Sequence, residues 1–227
     1  MSPFQIDPQK RPLFLVGSII AILVGLIFIF ATQCERGFRP KLDEVGTQLS
    51  TVVAQVTAEE TAKLLDHKGE IVLVVMDIKQ PGSVFEAQTK AFQEALKKQG
   101  GITVVATETV PFGQKGMAVP ADVFFKILEK HPNASAIVSF AGLPVLKDED
   151  VSNLGQNLPR LVAFSSGGMG VKKLFEQQIA RVVIMPRIQG VEHDETPVPK
   201  KKSETDREWF ERYYQVVTPE TAPSLPY

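Results

Sequence analysis

The sequence predicts a three-layer α/β sandwich, with a mostly parallel sheet of about five strands between layers of helices, preceded by one transmembrane helix. Five short runs rich in β-branched residues alternate with helical patterns that have one apolar face. Strand–helix units repeated in this way build a parallel sheet that is covered on both sides. An uncharged stretch near the N-terminus predicts the membrane helix.

The uncharged stretch covers residues 12–34 and follows a short tail at 1–11. A helix of this length spans roughly 34 Å, which is enough to cross the hydrocarbon core of a bilayer. Cys34 suggests a lipidated cysteine, but Gln33 stands where that motif requires a small residue. We therefore expect an uncleaved single-pass anchor in the lipid bilayer. The folded domain is expected outside the cytoplasm, on the periplasmic side.

A connector at 35–56 links the anchor to a domain at 57–187. The first half of the connector is charged and reads as a stalk, whereas its second half fits either a helix or an edge strand. Thr57 and Glu60 have the spacing of a capping box, which predicts that a short helix starts there. After the domain, 188–227 is expected to form a charged linker, a short aromatic helix and a tail.

Within the domain, the run IVLVVMD is typical of a strand that is buried on both faces. The next helix shows apolar residues at helical spacing and ends at a Gly-Gly pair, and a later helix must stop before Pro132. The predicted strands are 71–77, 102–107, 135–140, 160–164 and 180–186. The helices between them are predicted at 81–99, 120–130 and 170–178, with one helical turn in KDEDVSNLG.

The last predicted helix, ETDREWFERYYQ, carries aromatic side chains along one side. Two interpretations are open for this stripe. It docks on the parent domain and covers the core, or it forms a patch that faces a protein partner or a membrane. The candidate partner-binding residues are Trp209, Phe210, Tyr213 and Tyr214.

Composition excludes several functions. Acidic and basic residues nearly balance at a net charge of −1, so no nucleic-acid-binding surface is expected. The single cysteine leaves the domain without an internal disulfide. Three histidines lie far apart in the sequence, so no metal site is expected, and no cofactor fingerprint occurs.

In an open parallel sheet, ligands bind at the carboxyl ends of the strands, near the point where the strand order reverses. Polar residues follow several of the predicted strands, so we expect a rim that hydrogen-bonds a small polar ligand. The candidate ligand-binding residues are Asp77, Lys79, Gln80, Ser139, Phe140, Ser165, Ser166 and Gly167.

The glycine-rich stretch LVAFSSGGMGVKKLF at 161–175 contributes to this rim. One interpretation is that free N–H groups at the start of the following helix bind an anion. The other is local: Ser165 or Ser166 caps that helix and the glycines make the turn. The spacing matches neither a P-loop nor a dinucleotide-binding fingerprint, which favours the local interpretation.

Enzyme families that share parts of this pattern do not fit. The stretch VTAEETAKLLDHKGEIVLVVMDIK looks like the opening of a rhodanese domain, but the domain lacks the nucleophilic cysteine. A response-regulator receiver needs paired acids, and a hydrolase needs a G-x-S-x-G elbow. The sequence contains neither of these patterns. We therefore expect no catalytic residues. The remaining enzymatic hypothesis uses Asp77 and Lys79 as an acid–base pair.

Three stretches together resemble one lobe of the type I periplasmic binding proteins, the sugar-binding group that shares its fold with LacI-type regulators. They are VLVVMDIKQPGSVFEAQTKAFQEALKKQGGITVVATET, ADVFFKILEKHPNASAIVSFAG and LPRLVAFSSGGMGVKKLFEQQIARVVIMP. The resemblance implies a Rossmann-like lobe that binds its ligand at the rim. Phe85 and Phe140 would stand in for the aromatics that stack on a sugar.

The main functional hypothesis from sequence is a membrane-anchored, non-catalytic binding or scaffold module. Because a single lobe leaves its rim open to water, a second surface is expected to complete the site. That surface would be a protein partner in the membrane or outside the cytoplasm, or another copy of the chain. The alternative is a binding protein or sensor for a sugar-class small molecule.

Overall fold

A computed structural model describes residues 44–78, 82–111, 117–155, 157–187 and 197–226. The predicted transmembrane segment at 12–34 lies outside these ranges. Within them, no helix combines the length and the apolar character needed to cross a membrane.

The described part of the chain alternates between strands and helices. The strands are β1 (Gly69–Asp77), β2 (Ile102–Pro111), β3 (Ala118–Pro120), β4 (Ala136–Ser139), β5 (Leu143–Val145), β6 (Arg160–Phe164), β7 (Ala180–Pro186) and β8 (Tyr214–Val217). The helices are α1 (Glu44–Leu64), α2 (Val84–Gln99), α3 (Ala121–Lys130), α4 (Asp148–Ser152), α5 (Val171–Glu176) and α6 (Asp206–Tyr213). A 3₁₀ turn at Ala222–Ser224 precedes the C-terminal residues.

Six strands form the main sheet in the order β2-β1-β4-β6-β7-β8. The first five of these strands are parallel, and only β8 pairs antiparallel, with Val183 opposite Val217 and Pro186 opposite Tyr214. The prediction of an α/β fold with a mainly parallel sheet is confirmed. The short strands β3 and β5 form a separate parallel pair that the sequence analysis did not identify.

Apolar residues cover both faces of the sheet, which explains the near-continuous apolar runs of its central strands. One face packs against α1, α2 and α6, where Phe92, Trp209 and Phe210 are among the buried side chains. The other face packs against α3, α5 and the β3–β5 pair. The sheet therefore has helices on both sides.

The first helix decides between the two interpretations left open for the second half of the connector, and it corrects the predicted helix start at Thr57. Helix α1 starts at Glu44 and runs without a break through Thr57, so Thr57 does not cap a helix. The Thr57 side chain is buried, and its hydroxyl donates to the Val53 carbonyl at 2.7 Å, one turn back along the helix. Buried apolar residues at helical spacing continue on both sides of Thr57, and their packing overrides the local capping signal.

The aromatic helix α6 packs on the parent domain, which is the first of the two interpretations given for it. Trp209 is 2% exposed and Phe210 is fully buried, so neither presents its ring to a partner. Trp209 Nε1 donates to the Val198 carbonyl at 3.1 Å, and the Tyr213 hydroxyl accepts from the Val198 N–H at 2.9 Å. Tyr214 is half-buried, and its ring contacts Phe164 and stacks on Phe210. These residues hold the C-terminal segment on the sheet.

Candidate functional site

The strand order reverses at β1, whose neighbours in the sheet are β2 and β4. The chain leaves β1 towards β2 and then crosses back to build β4, β6 and β7 on the other side. In open α/β sheets ligands bind at such a switch point, so a ligand is expected at the carboxyl ends of β1 and β4. This is the edge where the sequence predicts a polar rim.

Asp77 is the last residue of β1 and is exposed, so its carboxylate is available at this edge. The backbone turns directly after it, with the Ile78 N–H donating to the Met76 carbonyl at 2.9 Å. The other two predicted ligand residues of this loop, Lys79 and Gln80, lie outside the described residues.

Ser139, at the end of β4, does not face an open crevice. Its side chain is buried, and its hydroxyl donates to the Gly142 carbonyl at 2.7 Å. Gly142 has a φ of +101°, and a Cβ at this position would come within 2.2 Å of the Met117 carbonyl oxygen. The chain entering the β3–β5 pair therefore lies directly against the end of β4, so Ser139 supports the loop and offers no free hydroxyl.

Of the two aromatics proposed to stack on a sugar, Phe140 is buried and Phe85 is partly buried. Phe140 is 1% exposed, and its ring makes an edge-to-face contact with Phe92 at a centroid distance of 5.4 Å. Phe85 is partly buried against the core on the opposite face of the sheet. The Phe140–Phe92 contact joins the end of β4 to α2, so the Phe140 ring is not available as a stacking platform.

The glycine-rich turn after β6 does not form the serine cap that the local interpretation predicts. Ser165 is buried, donates its hydroxyl to the Gly167 carbonyl at 2.6 Å, and donates its N–H to the Ile184 carbonyl at 2.8 Å. Helix α5 starts only at Val171, with Gly170 in the left-handed region before it, so neither serine caps it. Ser165 stabilises the turn, whereas Ser166 and Gly167 remain exposed.

Among the rim residues that the structure describes, the accessible ones are Asp77, Ser166 and Gly167. These residues offer a carboxylate, a hydroxyl and exposed backbone, which is chemistry for hydrogen-bonding a neutral polar ligand. Across the described ranges, no group of three His, Cys, Asp or Glu side chains lies close enough to hold a metal ion.

The structure brings further residues to this side of the sheet that sequence reasoning missed. Arg187 follows β7, its N–H donates to the Tyr213 carbonyl at 2.9 Å, and its Nε donates to the Tyr214 carbonyl at 3.3 Å. The run YQVV after the aromatic helix has the β-branched and aromatic composition of a strand, and that signal would have identified β8.

No family model matches the sequence, and no curated protein matches it. Solved structures with the same fold do exist. The arabinose-binding protein AraP from Geobacillus stearothermophilus matches with a TM-score of 0.51 and 16% identity, over 77% of this chain and 62% of that chain. A sugar-binding protein of a Bacillus halodurans sugar ABC transporter matches with a TM-score of 0.52 and 16% identity, over 77% of this chain and 64% of that chain.

A third similar structure is an ABC transporter solute-binding protein from Burkholderia graminis in complex with D-arabinose. It matches with a TM-score of 0.52 and 18% identity, over 78% of this chain and 62% of that chain. The chain thus spans about three-fifths of the length of each of these proteins. The predicted resemblance to a type I periplasmic binding protein is confirmed at the level of the fold.

These comparisons correct the main functional hypothesis. The interpretation as a scaffold module that works with a protein partner is wrong, because the structures that share the fold are sugar-binding proteins. Two of the four aromatics assigned to a partner, Trp209 and Phe210, are also buried in the core. The findings favour the alternative, a small-molecule binding protein.

Proposed function

We propose that the folded part of this chain is a non-catalytic binding or sensor lobe for a sugar-class small molecule. The observation that carries the proposal is the switch point between β1 and β4, where β1 ends in the exposed carboxylate of Asp77. Sugar-binding proteins of the same fold support the class of ligand.

In this proposal, Asp77 accepts hydrogen bonds from two neighbouring sugar hydroxyls, because a carboxylate has two acceptor oxygens. Ser166 and the backbone of Gly167 bind the other end of the ligand across the crevice. Lys79 and Gln80 remain candidates for the same site because they follow Asp77 in the sequence. Ser139, Phe140 and Ser165 act behind the site by holding the loops that carry it.

The site is open to water on one side, whereas pockets that bind small molecules tightly bury most of the ligand surface. We therefore expect weak affinity, with a dissociation constant between about 10 μM and 1 mM. The segment at 12–34 would anchor the chain in the membrane, with the domain on the periplasmic side. The sugar-binding protein of an ABC transporter with the same fold supports this placement of the domain.

The test is to titrate the full-length protein with D-arabinose, D-glucose and myo-inositol and to measure binding by isothermal titration calorimetry. Asp77→Asn should weaken binding of the preferred sugar at least tenfold, because the amide replaces one acceptor oxygen with a donor. Asp122→Asn is the matched control, since Asp122 is an exposed carboxylate on α3 that pairs only with Lys126 among the described residues.

The proposal fails if none of the three sugars binds, or if Asp77→Asn and Asp122→Asn bind equally well. Recovery of the sugar unchanged after incubation separates binding from the acid–base hypothesis for Asp77 and Lys79. Turnover that Asp77→Asn abolishes would favour the enzyme.

A further inference from the structure

A cavity runs along the free edge of β8, the strand at the opposite end of the sheet from β2. Its volume is about 330 Å³, which lies at the lower end of the range for small-molecule pockets. Helix α6 borders it on one side and the 3₁₀ turn on the other, and none of the six predicted ligand residues that the structure describes lines it. The lining residues that matter are Arg187, Phe210, Val216, Val217 and Leu225.

The pairing of β7 with β8 determines which backbone groups face this cavity. The Arg187 N–H donates to the Tyr213 carbonyl, so residues 187 and 213 form a hydrogen-bonded antiparallel pair. Because such pairs alternate along the strands, Gln215 and Val217 also turn their backbone groups towards β7. The N–H and C=O of Val216 therefore point away from β7, towards the cavity.

β8 is the last strand of the sheet, and no described strand lies beyond it. The outward groups of its first residue are already used, since the Tyr214 N–H donates to Phe210 and its carbonyl accepts from Arg187 Nε. Val216 is the next outward residue along the strand. Its N–H thus lies beside the Tyr214 carbonyl that holds the Arg187 guanidinium.

Two arginines line the cavity, and their charges are compensated differently. Arg207 forms ion pairs with Glu211 at 2.9 Å and Glu60 at 3.3 Å. Arg187 makes no ion pair with any residue of the described ranges, and only its Nε and backbone N–H donate to described partners. Its two terminal nitrogens have no partner among the described residues, and Arg187 lines the same cavity as Val216.

We propose that this cavity is a second binding site, which takes a small organic carboxylate. One carboxylate oxygen accepts from the Val216 N–H and the other from the Arg187 guanidinium, since charged pairs of this kind are the stronger hydrogen bonds. The apolar body of the ligand packs against the half-buried Val216 side chain, with the buried Val217 and Leu225 side chains behind it. The site goes beyond the proposed sugar rim and uses none of its residues.

The experiment titrates the full-length protein with benzoate and with benzamide, a neutral molecule of nearly the same shape, by isothermal titration calorimetry. Benzoate should bind with saturation and benzamide at least tenfold more weakly. Arg187→Gln should weaken benzoate binding at least tenfold because it removes the charge. Val216→Pro should do the same because it removes the outward N–H, and proline is tolerated on an edge strand.

Asp77→Asn serves as the control, and it should bind benzoate as the unaltered protein does. Thermal unfolding of each variant checks that the fold is retained. If a variant does not fold, the comparison of benzoate with benzamide on the unaltered protein still decides the charge requirement. Equal binding of the two molecules, absence of benzoate binding, or full benzoate affinity in folded Arg187→Gln would overturn the proposal.

Discussion

Nε2 of His131, the residue that ends α3, lies 2.7 Å from Oε1 of Glu108 on β2. The same oxygen lies 2.7 Å from Nζ of Lys130. These contacts tie the end of α3 to an edge strand that pairs, among the described strands, with β1 alone. The hydrogen bond from Lys130, followed by that from His131, lowers the pKa of Glu108 below its ordinary value of 4.5.

This lowered pKa makes part of the stability depend on pH. Because the unfolded chain binds a proton at Glu108 more readily than the folded protein, the contribution is fully present above pH 4.5 and is lost as the pH falls through the folded pKa. Glu108→Gln should remove that dependence and cost about 0.5–1 kcal/mol at pH 7, as expected for a partly exposed ion pair. Chemical unfolding between pH 3 and 7 measures it, with Glu149→Gln as an exposed control. Equal acid sensitivity of Glu108→Gln and the unaltered protein would contradict the assignment.

Gly142→Ala should destabilise the domain by about 2–4 kcal/mol, because it combines a strained backbone with a steric clash. The φ of +101° is one that side chains rarely adopt, and the new Cβ would meet the Met117 carbonyl. Gly167→Ala is the matched control, since a Cβ there has no atom within 4 Å. The free energy of unfolding in urea distinguishes the two variants. A loss of less than 1 kcal/mol for Gly142→Ala would mean that the β3–β5 pair moves away freely.

Trp209→Ala should cost about 3–5 kcal/mol of stability, since it removes a large side chain from the core. The Nε1 donor to Val198 is lost at the same time. Arg181→Ala, at a partly exposed position on β7, provides the comparison. Differential scanning calorimetry reports both changes. An unaltered transition temperature in Trp209→Ala would show that this ring contributes nothing to the fold.

Ser139→Ala should change the stability of the domain, whereas Ser166→Ala should change its affinity for sugar. The Ser139 hydroxyl is buried and bonded to Gly142, so its loss should lower stability by about 1 kcal/mol and leave sugar affinity unchanged. Ser166 is exposed at the rim, so its loss should leave stability unchanged and weaken sugar binding about threefold. Calorimetric titration beside urea unfolding measures both quantities. The opposite pattern would place the ligand against Ser139.

Much of the fold follows from the sequence. The predicted strands 160–164 and 180–186 coincide with β6 and β7, and the ADVFFKILEK pattern coincides with α3. Local signals suffice for these elements because a strand buried on both faces requires a continuous apolar run. The Thr57 capping box predicts a wrong helix start. Burial of apolar residues on both sides of Thr57 stabilises one continuous helix, and a local signal does not contain that information.

The site was less predictable because accessibility depends on segments that are distant in the chain. Asp77, Ser139 and Ser165 all follow strands and look equivalent in the sequence, yet only Asp77 is exposed in the structure. Ser139 is covered because the chain from Met117 lies against Gly142, and no residue next to Ser139 carries that information.

By itself, the sequence determined the alternation of strands and helices, the parallel sheet and the edge where polar residues gather. Periodicity and β-branched composition act locally, so they can be recognised residue by residue. Only the tertiary structure decided that the aromatic helix packs on the core. It also decided that β8 is an antiparallel edge strand and that Val216 lines the same cavity as Arg187. Strand register and burial arise from contacts between distant segments, and a one-residue change in pairing would turn Val216 the other way.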